Sequence, residues 1–227
     1  TPEGDELFVT TTAAFEELRA AVGKISRRGR RDILSIESYT TFSQRWLIPR
    51  LTKFQERHPE VEIRLTSSRG TIDFRGGNLD AIIRSSPTAR PDMQEDLLAH
   101  IALIPVCSPA YLAKRPLAVP SDLSRATLLH SLVRENDWAN WFSANNTEMP
   151  PSGILKFENS ALSYEAALQG LGVAMGIRVL VEQNLRDGLL VAPFGSLSVT
   201  AAYYLVWPKD RPPSASLQKF HKWLRTQ

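Results

Sequence analysis

The first 26 residues carry apolar side chains at helical spacing. The apolar positions are Leu7, Phe8, Phe15, Leu18, Val22 and Ile25, and Glu16, Glu17, Arg19 and Lys24 lie on the opposite side. Thr1-Pro2-Glu3 is typical of a helix start, with a hydroxyl at the cap, proline in the first turn and an acid near the positive end of the helix dipole. The pattern predicts one amphipathic helix over residues 3–26. Because this helix has no core of its own to cover its apolar stripe, it needs a partner, and a second copy of itself is the simplest one.

From Asp32 onwards, short apolar strands alternate with helical segments. Strands are predicted at 33–36, 61–66 and 79–83, a helix up to about residue 58, and a short helix near 72–75. The strand at 79–83 is almost continuously apolar, as expected for a strand buried on both faces. This alternation predicts a parallel sheet of the α/β class.

The second half of the chain repeats this alternation. Strands are predicted at 128–132, 154–157 and 173–175, and helices at 138–145, 161–170 and 179–185. Two strands at 97–106 and 199–207 are longer than one lobe requires, and a last helix at 217–224 turns Phe220 and Trp223 inward. We therefore predict a linker helix (1–31), lobe I (32–102 and 201–227) and lobe II (103–200), both lobes Rossmann-like. Ligands of such folds bind beyond the carboxyl ends of the strands, in the crevice between lobes.

Composition is that of an ordinary globular protein, with 43% hydrophobic and 22% charged residues and a net charge of +3. Its one concentrated charge is the basic run of Arg27, Arg28, Arg30 and Arg31, which is either a phosphate-binding segment or a solvated helix end. Cys107 is the only cysteine, which fits a reducing compartment. Without a recognisable export signal or membrane-spanning apolar run, we predict a cytoplasmic location and no membrane contact. The chain does not begin with Met, so it is expected to be a fragment or a processed form.

Catalytic and cofactor motifs are weakly supported. The series Gly170-x-Gly172-x-x-x-Gly176 has two interpretations: a dinucleotide-binding loop, for which its spacing is one residue too long, or a helix end that leads into a buried strand. The sequence contains no Gly-x-Ser-x-Gly motif. The four histidines are His58, His100, His130 and His221, and no two have the spacing of metal ligands. We predict no catalytic residues, no metal and no cofactor.

Hydroxyl and amide side chains recur where a helix follows a strand. Thr40, Thr41 and Ser43 follow the first strand, and Asn159 and Ser160 follow the strand at 154–157. Helix N-termini present unpaired N–H groups and a partial positive charge. These residues are therefore either ordinary N-caps or, if two such ends face each other, a site for a carboxylate or another small anion.

Several stretches resemble the LysR-type transcriptional regulators. The stretches are Thr1-Pro2-Glu3-Gly4, Trp46-Leu47-Ile48-Pro49-Arg50-Leu51 with His58-Pro59, Gly76-Gly77-x-Leu79-Asp80-Ala81-Ile82-Ile83-Arg84, Val106-Cys107-Ser108-Pro109-Ala110-Tyr111-Leu112, Trp138-x-x-Trp141-Phe142 and Ala166-Ala167-x-x-Gly170-x-Gly172-Val173-Ala174. Their order and spacing cover almost the whole chain. The resemblance implies a fold like the type II periplasmic binding proteins, an inducer in the cleft between lobes, and a homodimer or homotetramer. It also implies DNA binding through a winged helix-turn-helix that would precede Thr1 and is absent from this chain.

Within the family, the chain is similar to the glycine-cleavage activator and the β-lactamase regulators. Carried over by position, the β-lactamase regulators' pocket implies Thr41, Asp73, Ser160 and Tyr203 as effector ligands. Gln44 and Arg45 stand where many relatives have smaller residues, which predicts a narrower or more basic pocket. The alternative is a periplasmic solute-binding protein of a transporter, against which the N-terminal helix argues. An enzyme like porphobilinogen deaminase is a third, more distant candidate, and it would require a cofactor-bearing cysteine.

Overall fold

The N-terminal helix is present as predicted. In the computed structural model, which describes residues 1–26, 32–67, 74, 79–86, 91–150 and 153–227, helix α1 spans Pro2–Ser26. The Thr1 hydroxyl oxygen accepts a hydrogen bond from the Gly4 N–H at 3.2 Å and so caps the helix. Leu7, Phe8 and Phe15 are 65%, 70% and 66% exposed, so no residue that the structure describes covers this part of the apolar stripe. The basic run at 27–31 and the short helix predicted near 72–75 lie outside the described residues, apart from Phe74.

The chain divides into two compact units. The first comprises Thr1–Tyr39, Arg50–Leu98 and Tyr203–Gln227, and the second comprises Thr40–Pro49 and Ala99–Ala202. This division differs from the predicted one chiefly in two ways. Helix α1, predicted as a separate linker, falls in the first unit, and Thr40–Pro49, which the sequence assigned to lobe I, falls in the second.

The first unit is built on a parallel sheet. Strand β1 (Asp32–Ser38) lies between β2 (Val61–Ser67) and β3 (Ala81–Ser86) and runs parallel to both. The strand β8 (Leu197–Pro208), whose later residues belong to this unit, completes the order β2-β1-β3-β8. The predicted strands are confirmed, although β3 begins two residues later than the predicted strand. Asp80, just before it, donates its N–H to the Ser35 carbonyl, and its carboxylate accepts from the Ser35 N–H, each at 2.9 Å.

Two helices cover the core of the first unit. Helix α3 (Ile48–Arg57) buries Phe54 completely, and helix α8 (Ala215–Leu224) buries Phe220 and Trp223 as predicted. The ring of Phe54 meets Phe220 edge to face at 5.4 Å and lies 5.2 Å from Trp223. Such aromatic contacts add about 0.5–1.5 kcal/mol each beyond their buried area.

The predicted helix before residue 58 is interrupted. A short helix α2 (Thr40–Phe42) is followed by a π-helical turn (Ser43–Leu47) and then by α3. In this turn the Ile48 N–H donates to the Ser43 carbonyl, five residues earlier. Pro49 has no N–H to donate and its ring crowds the preceding turn. The π-helical turn lies directly before Pro49 and is wider than an α-helical turn, so it makes room for the proline ring.

The second unit contains a mixed sheet. Its strands are β4 (Met93–Val106), β5 (Leu128–Ser131), β6 (Ile154–Phe157) and β7 (Val173–Ile177), in the order β4-β7-β5-β6. Strand β5 runs parallel to β6 and β7, whereas β4 is antiparallel to β7. As predicted, β4 and β8 are long strands, and each has residues in both units.

Helices of the second unit pack on this sheet. They are α4 (Pro109–Lys114), a 3₁₀ helix (Pro120–Arg125), α5 (Asp137–Ala144), α6 (Ser160–Leu168) and α7 (Arg178–Arg186). The sequence pattern predicts α5, α6 and α7 but not α4 or the 3₁₀ helix. Trp138, Trp141 and Phe142 of α5 are each 1% exposed and form the aromatic core of the unit.

The glycine series ends helix α6 and packs strand β7. Gly170 has φ +77°, the left-handed conformation common just after a helix. At Gly172, an added Cβ would lie 2.2 Å from the Thr127 carbonyl oxygen. Both observations confirm the helix-end interpretation over the dinucleotide loop.

Candidate functional site

Thr41 contacts the N-terminus of helix α6. Its hydroxyl oxygen accepts a hydrogen bond from the Ala161 backbone N–H at 3.1 Å, and both residues are 8% exposed. Ala161 is the second residue of α6, and N–H groups in the first turn have no acceptor within their own helix. Thr41 therefore satisfies a helix end that is distant in sequence.

Asn159 caps the same helix end. Its side-chain oxygen accepts from the Leu162 N–H at 3.2 Å, which confirms the N-cap interpretation for this residue. Two N–H groups of the first turn of α6 are thus occupied, one by Thr41 and one by Asn159. Ser160, the first residue of the helix, is 3% exposed.

Two buried hydroxyls in this region have a hydrogen left to donate. Within the described chain, Thr41 donates its own hydroxyl hydrogen to no acceptor, although its oxygen accepts from Ala161. Ser43 is 5% exposed, and its hydroxyl has no hydrogen-bond partner among the described residues. Buried polar groups are normally paired, so these two hydroxyls are suited to a bound polar group.

Arg45 attaches the π-helical turn to helices α6 and α7. Its guanidinium donates to the Asn184 side-chain oxygen at 3.2 Å and lies 3.7 Å from the Glu165 carboxylate. These two bonds, together with the Thr41 contact, explain why Thr40–Pro49 groups with the second unit. The sequence predicted a more basic pocket from Arg45, but Glu165 offsets its charge.

The other predicted site residues are placed as follows. Thr40 is half-buried at the start of α2. Tyr203 is 4% exposed, lies on β8 and belongs to the first unit. Asp73 lies outside the described residues.

A buried ion pair in the first unit was not predicted. The Arg84 guanidinium, on β3, pairs with the Glu37 carboxylate, on β1, and lies 5.1 Å from the centre of the Tyr39 ring. Arg84 is only 6% exposed, so its charge is almost fully desolvated. An arginine at the end of the apolar run Ala81-Ile82-Ile83 is the feature of the sequence that could have indicated it.

Two observations concern possible catalytic groups among the described residues. None of their His, Cys, Asp and Glu side chains form a group of three or more that could hold a metal ion. Burial raises the pKa of the Cys107 thiol to about 11, so it stays protonated and is a poor nucleophile. This finding argues against the enzyme candidate that needs a cofactor-bearing cysteine.

Comparison with known proteins identifies the family. A model of the LysR substrate binding domain matches residues 27–227. The chain is 33% identical to the HTH-type transcriptional activator AmpR of Rhodobacter capsulatus, covering 100% of this chain and 78% of that protein. It is 29% identical to the glycine cleavage system transcriptional activator of Escherichia coli K12, covering 99% of this chain and 74% of that protein. The chain therefore belongs to the LysR-type transcriptional regulators.

Within that family, this chain contains the effector-binding domain. The solved effector domain of AmpR from Pseudomonas aeruginosa has a TM-score of 0.73 and 31% identity, covering 86% of this chain and 94% of that one. The predicted regulator function and the α/β fold resembling type II periplasmic binding proteins are confirmed, and the transporter alternative is not favoured. No helix among the described residues has the length and hydropathy needed to span a bilayer.

Proposed function

We propose that the effector, a carboxylate or another small anion, binds in the second unit beside the N-terminus of α6. Thr41 and Ser160 are the principal ligands, with Ser43 as a further donor and Thr40 and Asn159 shaping the site. The observation that carries this proposal is the hydrogen bond from Ala161 to Thr41, because it leaves the Thr41 hydroxyl as a buried donor.

The electrostatics of this arrangement favour an anion. The α6 N-terminus carries a partial positive charge, and the Ala161 N–H polarises the hydroxyl that accepts from it. A carboxylate that accepts the Thr41 hydrogen extends this chain of hydrogen bonds, and bonds to charged acceptors are roughly twice as strong as neutral ones. The neutral hydroxyl of Ser160, buried in the first turn of α6, hydrogen-bonds the Tyr164 hydroxyl in this structure. When it turns to the effector, it adds a second donor without another charge.

Asp73 and Tyr203 are proposed as additional effector ligands on the basis of the family resemblance. The assignment of residues 32–102 and 201–227 to one lobe and 103–200 to the other also stays a prediction. We infer that the effector favours one of two conformations of the domain. A ligand that prefers one conformation a hundredfold shifts this balance by roughly 2.7 kcal/mol.

The exposed side chains of Leu7, Phe8 and Phe15 on α1 support self-association. We propose that α1 pairs with α1 of a second copy, giving a homodimer or homotetramer in the cytoplasm, without catalytic activity. The whole regulator binds DNA through a winged helix-turn-helix. Analytical ultracentrifugation of the parent chain and of Phe8→Ser tests the pairing. We expect the parent chain to associate as its concentration rises and the variant to associate more weakly. A parent chain that stays monomeric at every concentration contradicts the pairing.

The effector site is tested by calorimetry after native mass spectrometry has identified a small acid that copurifies from the source cell. Thr41→Val and Ser160→Ala are each expected to weaken binding of that acid about tenfold, as loss of a contact of about 1.4 kcal/mol does. Thr41→Ser keeps the hydroxyl and is expected to retain affinity. Ser214→Ala removes the hydroxyl that caps α8 in the first unit, so it is a matched control. If Thr41→Val and Ser160→Ala both leave the affinity unchanged, the site is elsewhere.

A further inference from the structure

A small pocket in the second unit lies apart from the residues assigned to the effector. Its volume is about 180 Å³, and it is lined by His130, Ser131, Leu132, Glu135, Met149 and Lys156. None of Thr40, Thr41, Ser43, Asn159 and Ser160 is among these lining residues. Pockets for drug-sized ligands measure about 300–1,000 Å³, so this one fits a molecule of a few heavy atoms.

Two adjacent residues of the pocket wall hold polar atoms that need a partner. His130 and Ser131 end strand β5 and are 6% and 8% exposed. Nε2 of His130 and the hydroxyl of Ser131 are buried and have no hydrogen-bond partner among the described residues. A buried polar group without a partner costs about 1–3 kcal/mol, so a bound molecule that reaches either atom would gain a favourable hydrogen bond.

The imidazole of His130 is suited to a ligand with both donor and acceptor groups. Burial and the nearby Lys156 ammonium lower the pKa of His130, which favours the neutral ring near pH 7. A neutral imidazole presents one N–H donor and one acceptor nitrogen. The Ser131 hydroxyl has the same double capacity.

The pocket is lined by one positively charged side chain, Lys156, and one negatively charged side chain, Glu135. Lys156 is opposite His130 in the register of β6 against β5, and Glu135 lies between β5 and α5. Neither forms an ion pair with any residue that the structure describes. A ligand with only a negative charge would be repelled by the Glu135 carboxylate, and a ligand with only a positive charge would be repelled by the Lys156 ammonium. A molecule that carries both charges is attracted by both.

We propose that this pocket binds a small zwitterionic α-amino acid, with its carboxylate at Lys156 and Ser131 and its ammonium at Glu135. His130 completes the hydrogen bonding, and Leu132 and Met149 contact a short apolar side chain. The chain therefore has a second ligand site, independent of the effector site at the α6 N-terminus.

The four histidines allow a direct test by NMR of the imidazole nitrogens. L-alanine is the probe, and propionate and ethylamine are its controls, since each lacks one of the two charges. L-alanine is expected to shift the His130 resonances in a saturable way, with His58, His100 and His221 unmoved as internal controls. Propionate and ethylamine are each expected to bind at least about tenfold more weakly. The proposal is overturned if L-alanine leaves His130 unmoved, or if either control binds as tightly.

Surface variants separate binding from folding. Lys156→Gln and Glu135→Gln change exposed side chains, so both should fold, and each is expected to weaken L-alanine binding about tenfold. Lys114→Gln, on α4 of the same unit and outside the pocket lining, is the matched control. Unchanged affinity in both pocket variants contradicts the assignment.

Discussion

The hydroxyl oxygen of Thr41 lies 3.1 Å from the backbone nitrogen of Ala161, although the two residues are 120 positions apart in the sequence. Thr41 therefore acts as a cap for a helix that is not its own. Thr41 lies in the first turn of the helical segment that runs through α2, the π-helical turn and α3, yet its hydroxyl oxygen accepts from α6. One hydroxyl thus fixes the first turn of α6 and faces the proposed effector site.

The first prediction concerns the stability that this bond supplies. Thr41→Val is nearly isosteric and leaves the buried Ala161 N–H without an acceptor, which costs about 1–3 kcal/mol. We expect urea denaturation to show a free energy of unfolding lower by that amount, and the Ala161 amide to exchange faster with solvent. Thr41→Ser, which keeps the oxygen, should behave like the parent chain. A valine variant as stable as the parent, with unchanged Ala161 exchange, would show that the bond is unimportant.

The second prediction is that Arg45 and Asn184 are energetically coupled. Their side chains lie 3.2 Å apart, and the Arg45 side chain is 21% exposed, so screening by water is incomplete. A double-mutant cycle of Arg45→Met and Asn184→Ala, followed by urea denaturation, should give a coupling of about 0.5–1.5 kcal/mol. Arg186 and Glu182 form an exposed ion pair on α7 and serve as the control. A double-mutant cycle of these two residues should give a coupling of less than about 0.5 kcal/mol. Equal coupling in the two cycles would contradict a special role for Arg45.

The spacing of apolar residues, together with residues typical of helix ends, predicted most of the helices and strands. Predicted strand 154–157 coincides with β6, and the predicted last helix falls within Ala215–Leu224. Helix α4 was not predicted because its six residues are too few to show a helical period, although Ser108-Pro109 is a good start signal. The π-helical turn was also not predicted. It is defined by a backbone hydrogen bond between residues five apart, and the spacing of apolar side chains along the sequence does not reveal such a bond.

The sequence indicated which types of residue form the candidate site, but not which atoms they contact. The sequence showed hydroxyl and amide side chains at helix starts, which singled out Thr41, Asn159 and Ser160 as candidates. Asn159 caps its own helix, a local interaction that the sequence can reveal. Thr41 accepts from another helix, and that depends on a tertiary contact that residue spacing does not encode. The bonds of Arg45 to Asn184 and Glu165 were not predicted for the same reason.

The third prediction concerns Gly172. An alanine Cβ there would lie 2.2 Å from the Thr127 carbonyl oxygen, the same oxygen that accepts from the Val173 N–H at 2.9 Å. Because the obstacle is backbone in a paired strand region, relief requires a shift of the main chain. We expect Gly172→Ala to lower the free energy of unfolding by about 3 kcal/mol, measured by urea denaturation. Gly195→Ala, which has nothing within 4 Å of the added Cβ, should stay within about 0.5 kcal/mol. A Gly172 variant as stable as the Gly195 variant would contradict the close approach of the two backbones.

The fourth prediction is a dependence of stability on pH that originates at His130. Burial first, and Lys156 second, lower its pKa below the ordinary value of 6.5, so the folded state resists protonation more than the unfolded state does. Above pH 6.5 both states are neutral at this residue and it adds no pH dependence. As the pH falls below 6.5, the unfolded chain takes up a proton first, and stability is lost until the folded-state pKa is reached. Between pH 7.5 and pH 5.5, the free energy of unfolding of the parent chain should therefore fall more than that of His130→Gln. Comparing the two chains cancels the contributions of the other titrating groups, so equal losses would show that the His130 pKa is not lowered by folding.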